Sequence, residues 1–179
     1  WKTGHSHIKR RVKEIGALCG FEKSGHFFIN EPLGLGFDDG LKSACLMLQY
    51  LSYNITKKLS VKKSEITKTF QSPTMAPFCE DGEKYQVVDS VVKKIIDAKE
   101  KDEQVGNQII KKITTINGIR FELSNGSWGL VRASSNKPSL VIVIESYESN
   151  NEVELIFNYI NELLDQTGKV GEYDQTLAS

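Results

Sequence analysis

Several things are scarce in this 179-residue sequence, and each scarcity closes a class of function. Net charge is one: 23 Lys plus Arg balance 23 Asp plus Glu. No broad positive field is built that would draw the chain onto duplex nucleic acid, so no nucleic-acid partner is expected. Long apolar runs are missing too. The longest, at 140–144, falls far short of a membrane span, and the amino end shows no charged-then-apolar leader. A soluble, cytoplasmic protein without membrane contact is expected. Cysteine is sparse: Cys19, Cys45 and Cys79 are odd in number, widely spaced and form no Cys-x-x-Cys pair. That argues against a disulfide framework or a zinc knuckle and leaves free thiols. An initiator Met is absent as well, and the chain enters at Trp1 directly into a polar motif, which suggests a piece of a longer protein.

Length allows one large domain or two small ones, so pattern must decide. Ile8, Val12 and Ile15 recur at helical spacing after Ser6, which is placed to cap, and Gly16 supplies a stop. Residues 18–21 and 26–29 read as short strands joined by Glu22-Lys23-Ser24-Gly25, with Gly25 permitting a tight turn. Asp38 or Asp39 caps a helix whose Leu41, Ala44, Cys45, Leu48 and Leu51 share one face. The stretch 53–68 is polar and basic with a weak helical pattern. Pro73 and Pro77 then interrupt regular structure, and a domain boundary is set near residue 74, dividing 1–74 from 75–179.

Beyond it, Val87, Val88, Val91, Val92, Ile95 and Ile96 form a helical stripe that a charged run at 97–103 ends. Strands are expected at 109–116, 119–123, 128–133 and 140–145, with Asn117-Gly118 a strong hairpin signal. Phe121, Trp128 and Tyr147 read as core packing or a wall of that sheet. A last helix covers 151–164, and the tail after Gly168 reads as frayed. Helix, a four-stranded mainly antiparallel sheet, and helix make a small α+β layer domain.

Two loops have chemistry to offer. Arg132-Ala133-Ser134-Ser135-Asn136-Lys137 lies where one strand leaves the sheet. An Arg fork, Ser hydroxyls, an Asn amide and loop N–H groups are the donors a phosphate clamp needs. In Gly20-Phe21-Glu22-Lys23-Ser24-Gly25-His26, a carboxylate beside a hydroxyl suits two sugar hydroxyls, and His26 titrates near neutrality. Taken alone, each reads more simply as an ordinary polar turn. Thr3-Gly4-His5-Ser6-His7 invites a metal reading with His26, but no Cys or carboxylate completes a ligand set, and no metal is assigned to this chain. Gly34-Leu35-Gly36 followed by Phe37-Asp38-Asp39-Gly40 has one residue too many before its third glycine for a dinucleotide fingerprint, and no Walker-type run is present.

Lys2-Thr3-Gly4-His5-Ser6, Glu22-Lys23-Ser24-Gly25-His26, Gly36-Phe37-Asp38-Asp39-Gly40 and Gly126-Ser127-Trp128-Gly129-Leu130-Val131-Arg132-Ala133-Ser134 occur in one order. In that order they resemble successive landmarks of the α-D-phosphohexomutases of the phosphomannomutase/phosphoglucomutase kind, over residues 1–165. The resemblance implies the carboxy-terminal part of a four-domain enzyme that interconverts hexose 1- and 6-phosphates through a hexose 1,6-bisphosphate, using a phosphoserine and Mg²⁺. Residues 1–74 would be the end of its third domain, a mixed α/β unit, and 75–179 its fourth, a TATA-binding-protein-like α+β unit. Glu22 and Ser24 would hold sugar hydroxyls, while His5 and His26 would line the cleft and could move protons. Arg132, Ser134, Ser135, Asn136 and, less directly, Lys137 would grip the non-transferring phosphate. The partners implied are a hexose phosphate and the remaining amino-terminal domains of the same enzyme.

The sequence contains no Thr/Ser-Ala-Ser-His-Asn-Pro segment for the phosphoserine and no Asp-Gly-Asp-x-Asp-Arg segment for magnesium, so binding without turnover is expected. Gly-Phe-Glu in the sugar loop, Lys23 within it and Lys137 before the proline depart from the commoner pattern. A phosphoglucosamine mutase and a freestanding phosphosugar-binding module remain alternatives. The segment 72–77 is further expected to act as a hinge.

Overall fold

In a computed structural model, residues 1–53 and 57–177 are described. They form two compact units, Trp1–Thr67 and Lys68–Ser179. Residues 54–56 of the expected polar stretch, and 178–179 of the tail, lie outside the described residues. Among the described residues no helix is long and apolar enough to cross a membrane.

The first unit opens with helix α1 (His5–Glu14). Its cap is Gly4, at φ 124°, and no side chain caps it. Ser6, expected at the cap, lies within the helix, because Gly4 reaches the entry conformation that a residue with a Cβ resists. Gly16, at φ 61°, ends the helix as its position in the sequence implies. Val12 is buried, while Ile15, past the last turn, is 56% exposed. Strands β1 (Cys19–Phe21) and β2 (Phe27–Ile29) pair antiparallel with Gly20 opposite Phe28. Gly20 is the contact surface for α1: a Cβ there would stand 2.4 Å from a Val12 methyl. Asn30 then ties the hairpin to the helix by donating to the carbonyls of Val12 and Ala17.

Helix α2 (Gly40–Tyr53) is capped by Asp39, whose Oδ1 accepts from the Lys42 N–H at 2.9 Å. Its apolar stripe is present as expected, yet none of its described residues is buried. A short α3 (Leu59–Ser64) follows.

The second unit begins with β3 (Phe70–Gln71), paired antiparallel with β8 (Leu140–Ser146). The chain continues along β8, with Met75 and Ile142 exchanging backbone hydrogen bonds at 3.0 and 2.8 Å. Residues 72–77 are therefore an interrupted edge strand inside the second unit. Pro73 falls where the pairing lapses between Ser72 and Met75, and Pro77 pairs through its carbonyl alone, which accepts from the Leu140 N–H at 3.0 Å. Helix α4 (Lys84–Glu100) buries Val87, Val88, Val91, Ile95 and Ala98. Strands β4 (Gln104–Val105), β5 (Gln108–Thr114), β6 (Ile119–Leu123) and β7 (Trp128–Ala133) precede β8, and α5 (Asn150–Asp165) closes the unit.

The sheet runs β3-β8-β7-β6-β5-β4, antiparallel throughout, so the four expected strands form its centre and two-residue strands its edges. Alternation along β6 and β8 turns Ile119, Phe121, Leu123, Leu140, Ile142 and Ile144 inward against α4 and α5. Trp128 faces the other way, donating to Glu145 at 3.1 Å beneath the Arg120 guanidinium, and so walls the sheet; Tyr147 is 49% exposed.

As far as residue 177 the tail is not frayed. Phe78 and residues 171–172 exchange backbone hydrogen bonds, Asp174 accepts from the Ala76 N–H, and the Tyr173 ring packs on Phe157. The open edge of 74–78 supplies the partners that sequence pattern could not assign.

Candidate functional site

In the first unit the turn between β1 and β2 gathers three of the four expected residues. Gly25, at φ 90°, lets the chain reverse, with Glu22 N–H bonded to the His26 carbonyl and Gly25 N–H to that of Glu22. Glu22 Oε1 accepts from the Gly4 N–H at 2.7 Å, which draws the start of α1 to the turn. That bond uses one carboxylate oxygen and leaves Oε2 for a ligand hydroxyl. His5, the next residue, lies edge-on to His26 with ring centroids 6.3 Å apart, and against Phe28 at 4.9 Å. Ser24 stands exposed at the apex.

His26 has a partner that sequence reasoning assigned elsewhere. Asp38, read as a possible helix cap, bridges to Phe28 and brings Oδ2 to 2.6 Å from His26 Nδ1. Its Oδ1 accepts from the Phe27 N–H at 3.1 Å. The hydrogen bond to Asp38, and then its negative charge, raise the His26 pKa above the ordinary value. The bond from His26, followed by that from the Phe27 N–H, holds the Asp38 carboxyl below its own. An imidazole held this way keeps Nδ1 protonated and presents Nε2 as the atom that can give or take a proton. The signal was available: of two adjacent aspartates, only one can cap the helix.

In the second unit Arg132 sits on β7, paired with Val141, just before the strand leaves the sheet. Its Nη1 donates to the Ala133 carbonyl at 3.1 Å, and burial lowers its pKa from the ordinary guanidinium value. That value lies so high that the group stays charged at neutral pH. The β5–β6 turn presses on the same place: a Cβ on Gly118, at φ 72°, would stand 2.2 Å from the Val131 carbonyl oxygen and 2.7 Å from Arg132 Cα. Only glycine fits there.

The loop after β7 bonds the last of its carbonyls within the protein. Ser139 O accepts from Ser134 N–H, Pro138 O from Cys79 N–H, and Lys137 O from both Ser139 N–H and Lys84 Nζ. Among the described residues, no intrachain acceptor meets the N–H groups of Ser135, Asn136 or Lys137. Ser134 is buried and its hydroxyl donates to Asn136 Oδ1 at 3.2 Å, while Ser135, Asn136 and Lys137 are exposed. N–H groups without an intrachain acceptor, on the loop that follows a charged guanidinium, are donors of the kind an oxyanion takes up. The five expected phosphate-loop residues thus come together in this unit. Among the described residues no three His, Cys, Asp or Glu side chains converge where they could hold a metal ion.

Comparison with known proteins finds a match along each of the two units. Residues 1–70 match the family model "Phosphoglucomutase/phosphomannomutase, alpha/beta/alpha domain III", and residues 79–163 match that of the "C-terminal domain". A phosphomannomutase/phosphoglucomutase of Pseudomonas syringae pv. tomato is 40% identical over 156 residues, covering 87% of this chain and 30% of that protein. A probable phosphoglucosamine mutase of Methanosphaera stadtmanae is 27% identical over 90% of this chain and 34% of its own. The chain thus spans about a third of the length of these relatives. A solved phosphoglucomutase/phosphomannomutase family protein from Burkholderia thailandensis shares the fold at a TM-score of 0.73, with 24% identity, over 96% of this chain and 34% of that one. With matching family models in sequence along both units, the chain belongs to the phosphoglucomutase/phosphomannomutase family, carrying its domain III sequence followed by its C-terminal domain.

Proposed function

We propose that this chain is the substrate-holding part of a phosphohexomutase that interconverts hexose 1-phosphate and hexose 6-phosphate through a hexose 1,6-bisphosphate. The observation that carries the reading is the loop at 134–138, which follows the half-buried Arg132 and whose Lys137 and Pro138 carbonyls are bonded within the protein while, among the described residues, the N–H groups of Ser135, Asn136 and Lys137 meet no intrachain acceptor. Arg132, the loop N–H groups and the side chains of Ser134, Ser135, Asn136 and Lys137 grip the phosphate that does not transfer. Glu22, through its unengaged oxygen, and Ser24 hold sugar hydroxyls. His26, oriented by Asp38, offers a proton at Nε2, with His5 beside it.

The hexose is mannose or glucose in preference to glucosamine. The relative named for mannose and glucose is 40% identical, the one named for glucosamine 27%. Phosphoryl transfer itself needs the phosphoserine and the magnesium, whose segments this sequence does not contain. Magnesium, when bound in the whole enzyme, would neutralise charge on the transferring phosphoryl group. The chain alone therefore binds and does not turn over; the remaining amino-terminal domains are its partners, and the cytoplasm its place.

Titration of glucose 1-phosphate into the isotope-labelled chain tests the reading. Shifts are expected at Arg132 and at the amides of Ser134, Ser135, Asn136 and Lys137. Silence there at saturating ligand would overturn it.

A further inference from the structure

Lys84 is the most deeply buried charged side chain among the described residues, at 4% exposed. Two costs attach to it. An ammonium loses its hydration on burial, and a cation in the first turn of a helix opposes the helix dipole. Lys84 is the first residue of α4 and lies on the same stripe as Val87, Val88 and Val91, where an apolar side chain would carry neither cost. What it gains is specific. Its Nζ donates to Asp81 Oδ1 at 2.6 Å and to the Lys137 carbonyl at 3.1 Å.

That carbonyl controls the return limb of the loop. Pro138 has no N–H, so the orientation of the Lys137–Pro138 peptide depends on what its single acceptor finds inside the protein. It finds Ser139 N–H at 2.8 Å and Lys84 Nζ. Turning this carbonyl inward is the counterpart of leaving the preceding N–H groups outward. The counter-charge is unequal to the charge it faces: the Asp81 side chain is 70% exposed against 5% for Lys84. Water screens the aspartate more than the lysine, so the aspartate cancels the lysine charge only in part at the loop. No anion-directed role attaches to Lys84 in the reading above, which uses only the residues of the loop and Arg132.

We infer that Lys84 is a positioning residue for the phosphate loop, holding the Lys137 carbonyl inward and placing a buried positive charge behind the bound phosphate. The inference rests on the phosphate-loop reading and deepens it. The test titrates glucose 1-phosphate into the full chain and four variants, following loop amide shifts alongside a thermal melt. Lys84→Met is expected to weaken binding about fivefold to twentyfold, the range for losing one charge-assisted contact. Lys84→Arg, which keeps the charge, stays within about threefold of the unmodified chain. Lys93→Met removes the same charge from an exposed position on α4 and changes binding less than about twofold.

A Lys84→Met chain that binds within about twofold of the unmodified one, or that Lys93→Met matches, overturns the inference. Where Lys84→Met does not fold, Asp81→Asn decides. Removing the exposed counter-charge is expected to tighten binding about twofold to threefold, and unchanged or weaker binding overturns the inference. If the unmodified chain itself fails to bind, the phosphate-loop reading falls first, and that result is distinct from any of these.

Discussion

In the first unit Val12 and Phe28 are the only buried hydrophobic side chains among the described residues, whereas the second unit gathers one continuous core from Met75 to Leu164. Both units carry a candidate binding loop, but they hold it differently. The Glu22–Gly25 turn is fixed by hydrogen bonds, Gly4 to Glu22 and His26 to Asp38, across a surface that is largely exposed. The loop after β7 is fixed by a strand whose inner face is packed and by carbonyls turned into the protein. Amphipathic pattern is equally clear in α2 and α4, yet only α4 finds a sheet to cover. A stripe specifies which face is apolar; what covers it is a separate matter of topology.

The largest effect expected from this contrast is in the core. Phe121→Ala removes a fully buried ring that touches Tyr159 and fills the space beside Gly129, and it should cost the second unit about 3–5 kcal/mol in urea unfolding. A loss under about 1 kcal/mol would mean the core is not the element that holds the loop. Next is Arg132→Ala, expected to weaken glucose 1-phosphate binding by about 1.5–3 kcal/mol with little change in melting temperature, because Arg132 is not among the buried residues of the core. A drop in melting with unchanged affinity would reverse that assignment.

Gly118→Ala should cost about 1–3 kcal/mol through its positive φ and shift the Val131 and Arg132 amides, since the new Cβ meets their backbone. Unmoved amides would show that the turn does not set the Arg132 position. The smallest effect concerns His26. Its raised pKa makes the contribution of the His26–Asp38 pair complete below the ordinary His value and lost as pH rises through the raised one. The lowered Asp38 value makes that contribution vanish again in acid, as pH falls through it. Asp38→Asn should bring the His26 titration midpoint down, read from its ring proton shifts. An unchanged midpoint would remove Asp38 from the site.

Most of the second unit was legible because periodicity and burial agree there: the α4 stripe, the alternation of β6 and β8 and the Asn117-Gly118 turn appear where the residues place them. The edge strands β3 and β4 were not, since two residues carry no period. The tail was missed because its partners, Phe78 and Ala76, lie far away in sequence and bond through backbone that every residue shares. Within the site, residue type pointed to Glu22 and Arg132. Asp38 was hidden behind its neighbour's capping role, and Lys84 behind the habit of reading charge as surface, although Val87 and Val88 place it on the inner stripe.

The uncovered face of α2 also sets the terms on which any of these measurements can be made at the bench. Leu41 and Leu48 are 78% and 66% exposed on a chain whose formal charge is zero. Near neutral pH, copies meeting in solution have sticky patches and no long-range repulsion to keep them apart. Colloidal attraction of this kind grows with concentration, and added salt offers no remedy. Titrations run dilute, or a few pH steps from neutrality, will report the binding loops; concentrated ones will report α2.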